Sequence, residues 1–365
     1  MTPRLFRLGA ALAAGWLISA APVLSQSLEQ MAGQMIVVGF VGDSVDARGV
    51  VAARAEMADG LLGGVMYLKT NVRSLAAVRE MNAAFRAASP DLAPFITLDQ
   101  EGGAVERLTE AVGFEEVPNA AAIARGTAEV ARNIYGKMAA DVAAEGFTVN
   151  FGPVADLNRN PNNQIIAKFG RAFGADPQTV TRFAAAFINA HHDAGLITAL
   201  KHFPGHGSST ADSHEGFVDI SESWDAVELE PYGALFARGY ADMVMVGHLY
   251  HDQYAGGSAA KLPSSLSPAW IDGVLRGKLG FSGVVISDDL EMGAIRDHYN
   301  LADTVRLAVR AGVDVLLFSN TADNRTSLAG EIRDILVAEA NADPAFRDRI
   351  QESYRRIVGL KARIR

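Results

Sequence analysis

One stretch of the chain combines most of the residue types that acid–base chemistry needs. Residues 201–207 read KHFPGHG, and residues 212–214 read DSH. The apolar residues 195–200 predict a short strand, so Lys201 and His202 come at its end and the glycines and proline that follow form a loop. A carboxylate two residues from an imidazole can fix the ring tautomer and raise its basicity. The pattern predicts a site of proton transfer, and the alternative is a solvated surface loop.

Polar residues follow two other apolar runs in the same way. Asp288 comes directly after residues 283–287, where it could be a nucleophile, an electrostatic stabiliser or the cap of the next helix. Asp99 follows residues 94–98, and Arg107 comes eight residues later. An acid and a guanidinium can hold neighbouring sugar hydroxyls, since one accepts and the other donates. A structural ion pair within the loop is the alternative for Asp99 and Arg107.

The histidines admit a second interpretation. Three imidazoles, His202, His206 and His214, together with Asp212 would suit a zinc ion. Lys201 beside them would repel a divalent cation. We therefore expect no metal and no cofactor.

Three further residues keep two interpretations each. Arg171 could bind a ligand or lie on the surface, and Asp156 could orient a neighbour or accept bonds from loop amides. His248 ends a predicted strand and could line a site or be structural. The pattern assigns no role to His206.

Eight apolar runs alternate with helical patterns along the chain. They are nearly continuous in apolar residues, as parallel strands buried on both faces require. The predicted strands are residues 34–40, 63–68, 94–98, 147–156, 195–200, 242–248, 283–287 and 314–320. The predicted helices are residues 46–59, 72–88, 128–144, 180–194, 224–240, 268–279, 301–311, 327–340 and 344–360.

This alternation predicts an α/β fold, a single (β/α)8 TIM barrel. The polar residues cluster after five of the strands, at the face where barrel enzymes keep their active sites. A doubly wound sheet is the alternative, but no glycine-rich phosphate fingerprint follows the first strand.

Composition excludes several classes of protein. The 365 residues are 49% hydrophobic and 21% charged, which is typical of a globular enzyme. The formal net charge of −9 argues against nucleic-acid binding. Because the chain has no cysteine, disulfides, thiolate metal sites and cysteine nucleophiles are excluded.

The first 26 residues have the pattern of a signal peptide. Arg4 and Arg7 precede the apolar residues 8–18, and small residues follow. An uncleaved membrane anchor is the alternative, although the apolar run is short and interrupted. We expect export to the periplasm or the medium, no membrane span after cleavage, and a barrel domain over residues 27–365 that acts as a monomer.

Several motifs in order resemble the bacterial β-N-acetylglucosaminidases of glycoside hydrolase family 3. Besides the opening stretch, they are DQEGG at residues 99–103, FGRAFG at 169–174, LPSSLS at 262–267 and LGFSGVVISDDLEM at 279–292. The resemblance covers nearly the whole chain after residue 26. It implies a single-domain barrel that removes terminal β-linked N-acetylglucosamine, with retention of configuration, from peptidoglycan or chitin-type fragments.

The resemblance also implies roles for particular residues. Asp288 is similar in place to the family's nucleophile, and His214, paired with Asp212, to its acid/base. The implied sugar-binding residues are Asp99, Arg107, Arg171, Lys201 and His202. An imidazole stands where retaining glycosidases usually have a second carboxylate. Residues 215–217 read EGF where the family usually has a proline nearby, which puts the geometry of the loop in question.

Other functions remain compatible with the residues. A β-N-acetylglucosaminide phosphorylase could use the same barrel, because a histidine acid/base does not repel phosphate as a carboxylate would. A broader β-glycosidase on the same barrel is another alternative. A metal-dependent hydrolase and a non-catalytic glycan-binding protein are further alternatives. A binding protein, however, has no need of both a nucleophile and a proton shuttle.

Overall fold

Parallel strands form a nearly closed barrel. The computed structural model describes residues 26–240, 242–254 and 261–364. The barrel sheet in these residues has eight strands in the order β10-β1-β2-β3-β4-β5-β7-β9. The strands, with the two short strands of a second sheet, are β1 Ile36–Gly39, β2 Gly64–Met66, β3 Phe95–Leu98, β4 Val149–Asn150, β5 Ile197–Phe203, β6 Val218–Asp219, β7 Met243–Val246, β8 Leu249–Tyr250, β9 Val284–Ser287 and β10 Leu316–Phe318.

Backbone contacts between β9 and the start of β10 close the ring. Ile286 forms a parallel bridge with Val315, and the amide of Ser287 donates to the Val315 carbonyl at 3.0 Å. Every residue of the barrel strands is buried. The prediction of a (β/α)8 barrel is therefore confirmed.

Helices surround the barrel and cover the outer faces of the strands. They are α1 Leu28–Gln34, α2 Arg48–Ala58, α3 Leu75–Ala88, α4 Ala120–Ile123, α5 Ala128–Ala144, α6 Pro177–Asp193, α7 Glu230–Phe236, α8 Gly293–Arg296, α9 Leu301–Ala311, α10 Leu328–Ala342 and α11 Pro344–Lys361, with a π-helix at Ala269–Lys278. Polar caps set the ends of many of them. Asp176, for example, accepts from the Thr179 amide at 2.8 Å, with Pro177 in the first turn of α6.

Two local predictions were wrong, and one feature was not predicted. The fourth strand is two residues long rather than ten, because Gly152-Pro153 interrupts the run and proline has no amide for the ladder. The predicted helix 224–240 is a 3₁₀ turn, Ala226–Leu229, followed by the short α7. The sequence pattern did not predict the second sheet, in which β6 pairs with β8.

The predicted signal peptide falls almost wholly on residues 1–25, outside the described residues. Within the described ranges, no helix has the length and apolar character that a membrane crossing requires.

Candidate active site

A cavity of about 440 Å³ opens at the carboxyl ends of the barrel strands. This is the face that the strand-end pattern predicted. All eight predicted site residues line it, namely Asp99, Arg107, Arg171, Lys201, His202, Asp212, His214 and Asp288. Residues that are up to 189 positions apart in sequence thus share one pocket.

A network of buried and half-buried charged side chains forms one side of the cavity. We call it the floor, and its members are Asp99, Glu101, Arg107, Arg171 and Lys201. Lys201 Nζ lies 2.7 Å from Asp99 Oδ1 and 2.7 Å from Glu101 Oε1. Arg107 Nη2 lies 2.7 Å from the other Asp99 oxygen. Arg171 completes the floor through two bonds to Glu101, from Nε at 2.9 Å and from Nη2 at 2.8 Å. Opposite charges alternate, so no buried charge in the floor lacks a partner.

The network fixes the charge of each member. Burial opposes ionisation of both carboxyls, but nearby cations outweigh it. Lys201 and Arg107 lower the pKa of Asp99. Arg171 and Lys201 lower the pKa of Glu101. Burial likewise opposes the Lys201 ammonium, yet the two carboxylates raise its pKa. All three groups therefore stay charged over the working range of an enzyme.

Unused hydrogen-bonding capacity in the floor faces the cavity. Lys201 has three ammonium donors, and the two carboxylates use two of them. Asp99 makes one contact through each oxygen, so each oxygen can accept a further bond. The floor can therefore hold neighbouring hydroxyls while its own charges remain paired.

Sequence reasoning assigned no role to Glu101. It does not line the cavity, but it joins Lys201 and Arg171 from behind. Its place two residues after Asp99, directly beyond a buried strand, was the available signal.

His202 stands beside the floor and is held by a buried aspartate. Its Nδ1 lies 2.7 Å from Asp156 Oδ2, while Asp156 Oδ1 accepts from the amides of His202 at 3.2 Å and His206 at 2.7 Å. Both sequence interpretations of Asp156 therefore hold at once. Because the Asp156 carboxylate accepts from Nδ1, the other ring nitrogen of His202, Nε2, faces Arg171. The distance from His202 Nε2 to Arg171 Nη2 is 3.4 Å.

Asp288 faces the cavity from the end of β9. Its amide donates to the Val246 carbonyl at 2.9 Å, and its Oδ1 accepts from the Asp289 amide at 2.8 Å. Burial would raise the pKa of Asp288, but His202, His248 and His214 hold it at about 2. This carboxylate is ionised, as a nucleophile must be.

Asp289 has a structural role that differs from the role of Asp288. Its Oδ1 accepts from the amides of Glu291 at 3.0 Å and Ser319 at 2.8 Å. It thus ties the turn after β9 to the end of β10. Neither Asp288 nor Asp289 caps the next helix, because α8 begins only at Gly293. Burial raises the pKa of Asp289 to about 6.

The loop that carries His214 forms an exposed part of the cavity rim. His214 Nδ1 lies 2.8 Å from Asp212 Oδ1, and the His214 side chain is 64% exposed. The amides of Gly293 and Ala294 donate to the carbonyls of His214 and Ser213, each at 3.2 Å. Since Asp212 accepts from Nδ1, the Nε2 of His214 is the nitrogen free to exchange a proton with a ligand.

His206 and His248, whose roles the sequence did not decide, both lie outside the cavity and are held by polar neighbours. His206 contacts Ser209 Oγ through Nδ1 at 2.6 Å and Ser213 Oγ through Nε2 at 3.2 Å. His248 contacts Ser265 Oγ at 2.7 Å and the Asp289 carbonyl at 2.9 Å. Both are buried, and neither lines the cavity.

The zinc interpretation does not fit these side chains. Asp156 occupies Nδ1 of His202, and two serines occupy both ring nitrogens of His206. Across the described residues, no three His, Asp or Glu side chains are grouped so that they could hold a metal ion.

Comparison with known proteins identifies the family. The model of the glycosyl hydrolase family 3 N-terminal domain matches residues 27–360. A beta-hexosaminidase from Xylella fastidiosa (strain 9a5c) is 36% identical over 293 residues, which are 78% of this chain and 82% of the relative. One from Stenotrophomonas maltophilia (strain R551-3) is also 36% identical, with the same coverage of both chains.

Solved structures agree with the sequence relatives. A family 3 beta-N-acetylglucosaminidase from Paenibacillus sp. str. FPU-7 aligns with a TM-score of 0.82 and 33% identity over 93% of this chain, which spans only 63% of that protein. A beta-N-acetylhexosaminidase from Beutenbergia cavernae DSM 12333 aligns with a TM-score of 0.80 and 29% identity over 92% of this chain and 99% of that one. The chain therefore belongs to glycosyl hydrolase family 3.

Proposed function

We propose that this glycoside hydrolase is a retaining exo-β-N-acetylglucosaminidase that releases terminal β-linked N-acetylglucosamine through a covalent glycosyl-enzyme. One observation carries the proposal: ionised Asp288 and the Asp212–His214 pair line the same cavity as the charged floor. The relatives named beta-hexosaminidase and beta-N-acetylglucosaminidase support the same activity.

In the first step, Asp288 attacks the anomeric carbon of the terminal sugar. A bond forms between its carboxylate oxygen and C1 as the bond from C1 to the glycosidic oxygen breaks. His214 Nε2 donates its proton to that oxygen, so the aglycone leaves as an alcohol. Asp212 holds the ring through Nδ1 and stabilises its charged form.

In the second step, a water molecule replaces the aglycone. His214, now neutral at Nε2, accepts a proton from this water as the water oxygen attacks C1. The bond between C1 and Asp288 breaks, which restores the carboxylate and the protonated imidazole. Two displacements at C1 give net retention of configuration.

The floor binds the terminal sugar in this scheme. Asp99 and Arg107 form one accepting and donating pair for neighbouring hydroxyls, and Lys201 supplies a further donor. Arg171 and His202 stand beside them on the same wall. Since the floor charges are paired before substrate arrives, binding requires no large rearrangement of charge.

We further propose that the enzyme is exported, on the signal-peptide pattern of residues 1–26. It would then act in the periplasm or outside the cell on peptidoglycan or chitin fragments. Because all the proposed site residues come from one chain, we propose a monomer. Fractionation that finds the intact precursor in the cytoplasm would contradict export, and size-exclusion chromatography tests the monomer.

The deciding experiment uses chromogenic β-N-acetylglucosaminide and the matching β-glucoside. We expect wild type to prefer the acetamido sugar, and both Asp288→Ala and His214→Ala to lose most activity. Equal or reversed preference would overturn the assignment in favour of a broader β-glycosidase. Faster release in phosphate buffer, with formation of the sugar 1-phosphate, would instead identify a phosphorylase.

A further inference from the structure

An exposed aromatic ring stands at the mouth of the cavity. The Phe169 residue lines the cavity together with the proposed catalytic residues and is 41% exposed. Among the described residues, the exposed large hydrophobics are Val41, Val51, Val130 and Phe169. Phe169 alone of these is aromatic, and alone lines the cavity.

The position of Phe169 is fixed by the backbone around it. The amide of Gly170 donates to the Ala167 carbonyl at 3.0 Å, and the Gly170 carbonyl accepts from the Ala121 amide at 2.9 Å. Gly170 has a φ of +64°, and a Cβ there would lie 2.8 Å from the Asn119 side chain. The backbone that carries the ring is therefore already ordered, so little backbone entropy is lost when a ligand binds.

A lysine accompanies the ring. Lys168 Nζ lies 5.4 Å from the centroid of the Phe169 ring, within cation–π range. In the described part of the chain, no carboxylate pairs with Lys168. Lys168 is exposed and does not itself line the cavity, but it adjoins a ring that does, so a positive charge lies beside the apolar face at the mouth.

The proposed chemistry decides which part of the substrate passes this ring. The terminal sugar must reach Asp288 and the buried floor, while the glycosidic oxygen must meet the exposed His214. The aglycone therefore leaves the cavity across its exposed rim. Phe169 is on that rim, whereas the floor residues Asp99 and Lys201 are buried.

We propose that Phe169 stacks against the sugar ring that follows the scissile bond, and that Lys168 selects aglycones in which this sugar carries a carboxylate. The inference rests on the proposed function and deepens it by naming what the aglycone site recognises. The carbon-bound hydrogens on one face of a pyranose are apolar, and an exposed aromatic ring gains by covering them. The ammonium then attracts a carboxylate on the same sugar.

Three substrates separate these contributions. They are N-acetylglucosaminyl fluoride, which has no aglycone ring, the neutral β-1,4-linked disaccharide of N-acetylglucosamine, and its counterpart with an ether-linked carboxylic acid on the reducing sugar. We expect Phe169→Ala to lower kcat/KM about tenfold on both disaccharides and to leave the fluoride unchanged. We expect Lys168→Gln to lower kcat/KM about fivefold on the acidic disaccharide alone.

Lys261→Gln is the matched control. Lys261 is an exposed lysine that also lies over aromatic rings, 5.6 Å from the centroids of both Phe217 and Tyr250, but unlike Phe169 these rings do not line the cavity. We expect this control to match wild type on all three substrates.

Two outcomes would overturn the inference while the proposed function stands. One is wild-type activity of Phe169→Ala on both disaccharides, and the other is an equal loss on the fluoride. An equal loss by Lys168→Gln and Lys261→Gln on the acidic substrate would overturn the part assigned to Lys168. A wild-type enzyme inactive on all three substrates would overturn the proposed function, and the inference with it.

Discussion

The floor and the His214 loop line one cavity, and they differ in burial and in bonding. The side chains of Lys201 and Glu101 are 2% and 7% exposed and are joined by ion pairs, whereas the His214 side chain is 64% exposed. Backbone amides of α8 hold the loop through its carbonyls, which leaves the imidazole itself free apart from Asp212.

Under the proposed function, the difference corresponds to two tasks, sugar binding and proton transfer. A wall that binds one sugar gains from charges that are already paired and oriented, because little is then reorganised on binding. A group that first gives a proton to the aglycone and then takes one from water must meet two partners in turn. Four substitutions test this division, from the largest expected effect to the smallest.

Lys201→Met should do the most damage, because it leaves Asp99 and Glu101 facing each other without the cation they share. Removing one partner from a buried ionic network costs about 3–5 kcal/mol. We expect a loss of that size in the free energy of unfolding, measured in urea, together with loss of activity. Lys137→Met is the control, since its pairs with Glu115 and Asp141 are exposed. Equal stability of the two variants would contradict the description of the floor.

His214→Ala should affect activity without affecting the fold. We expect kcat to fall by about 10²–10⁴ while the free energy of unfolding changes by less than about 0.5 kcal/mol, since the side chain is exposed. An aglycone of low pKa needs less protonation, so its first step should suffer less. His298→Ala, at an exposed histidine outside the cavity, should match wild type. A similar loss in both variants would contradict the role of His214.

Glu228 is buried against the backbone of the segment between Lys201 and His214, and it should make stability depend on pH. Burial, with the charge of Asp156, raises the pKa of Glu228 to about 7, and its Oε2 accepts from the Gly207 amide at 3.1 Å. The folded state therefore keeps a proton that the unfolded state loses above its ordinary pKa of 4.5. Stability conferred by this group falls as pH rises from 4.5 to 7, by an upper limit of roughly 3 kcal/mol.

Glu228→Gln removes this titration and keeps an acceptor for the amide of Gly207. In urea unfolding, we expect the variant to be more stable than wild type at pH 8 and nearly equal to it at pH 4. A variant that is less stable at both pH values would show that the carboxylate is needed in its charged form.

Gly293→Ala should have the smallest effect, confined to the loop. A Cβ at this position would lie 2.8 Å from the His214 carbonyl oxygen, so the loop must shift. We expect kcat to fall about tenfold with little change in KM, because the imidazole is displaced and the floor is not. Gly136→Ala in α5 is the control, since its Cβ would meet nothing within 4 Å. An unchanged kcat would contradict the anchoring of the loop by α8.

The apolar patterns predicted the fold class and the bounds of several helices. The features that they missed are the ends of short elements and a pairing between loop segments. The helices at Ala128–Ala144 and Leu301–Ala311 were predicted with their observed bounds, because apolar periodicity and capping residues are local signals. The two-residue β4 and the short α7 were not, although a proline marks each break: Pro153 follows β4, and Pro231 lies in the first turn of α7. The pairing of β6 with β8 joins segments whose local sequence carries no strand pattern.

The sequence by itself determined which residue types stand at the ends of the strands. Parallel strands in a barrel bring their carboxyl ends to one face, so residues such as Asp99 and Asp288 had to converge once the strands were recognised. Local spacing also paired Asp212 with His214.

Only the tertiary structure decided which of those residues touch. Lys201 lies between Asp99 and Glu101 across about a hundred positions of sequence, and Arg171 reaches Glu101 across 70. The loop path brings the His214 carbonyl to α8. Such contacts depend on the course of long loops and on the packing of side chains, which the spacing of residues along the chain does not specify.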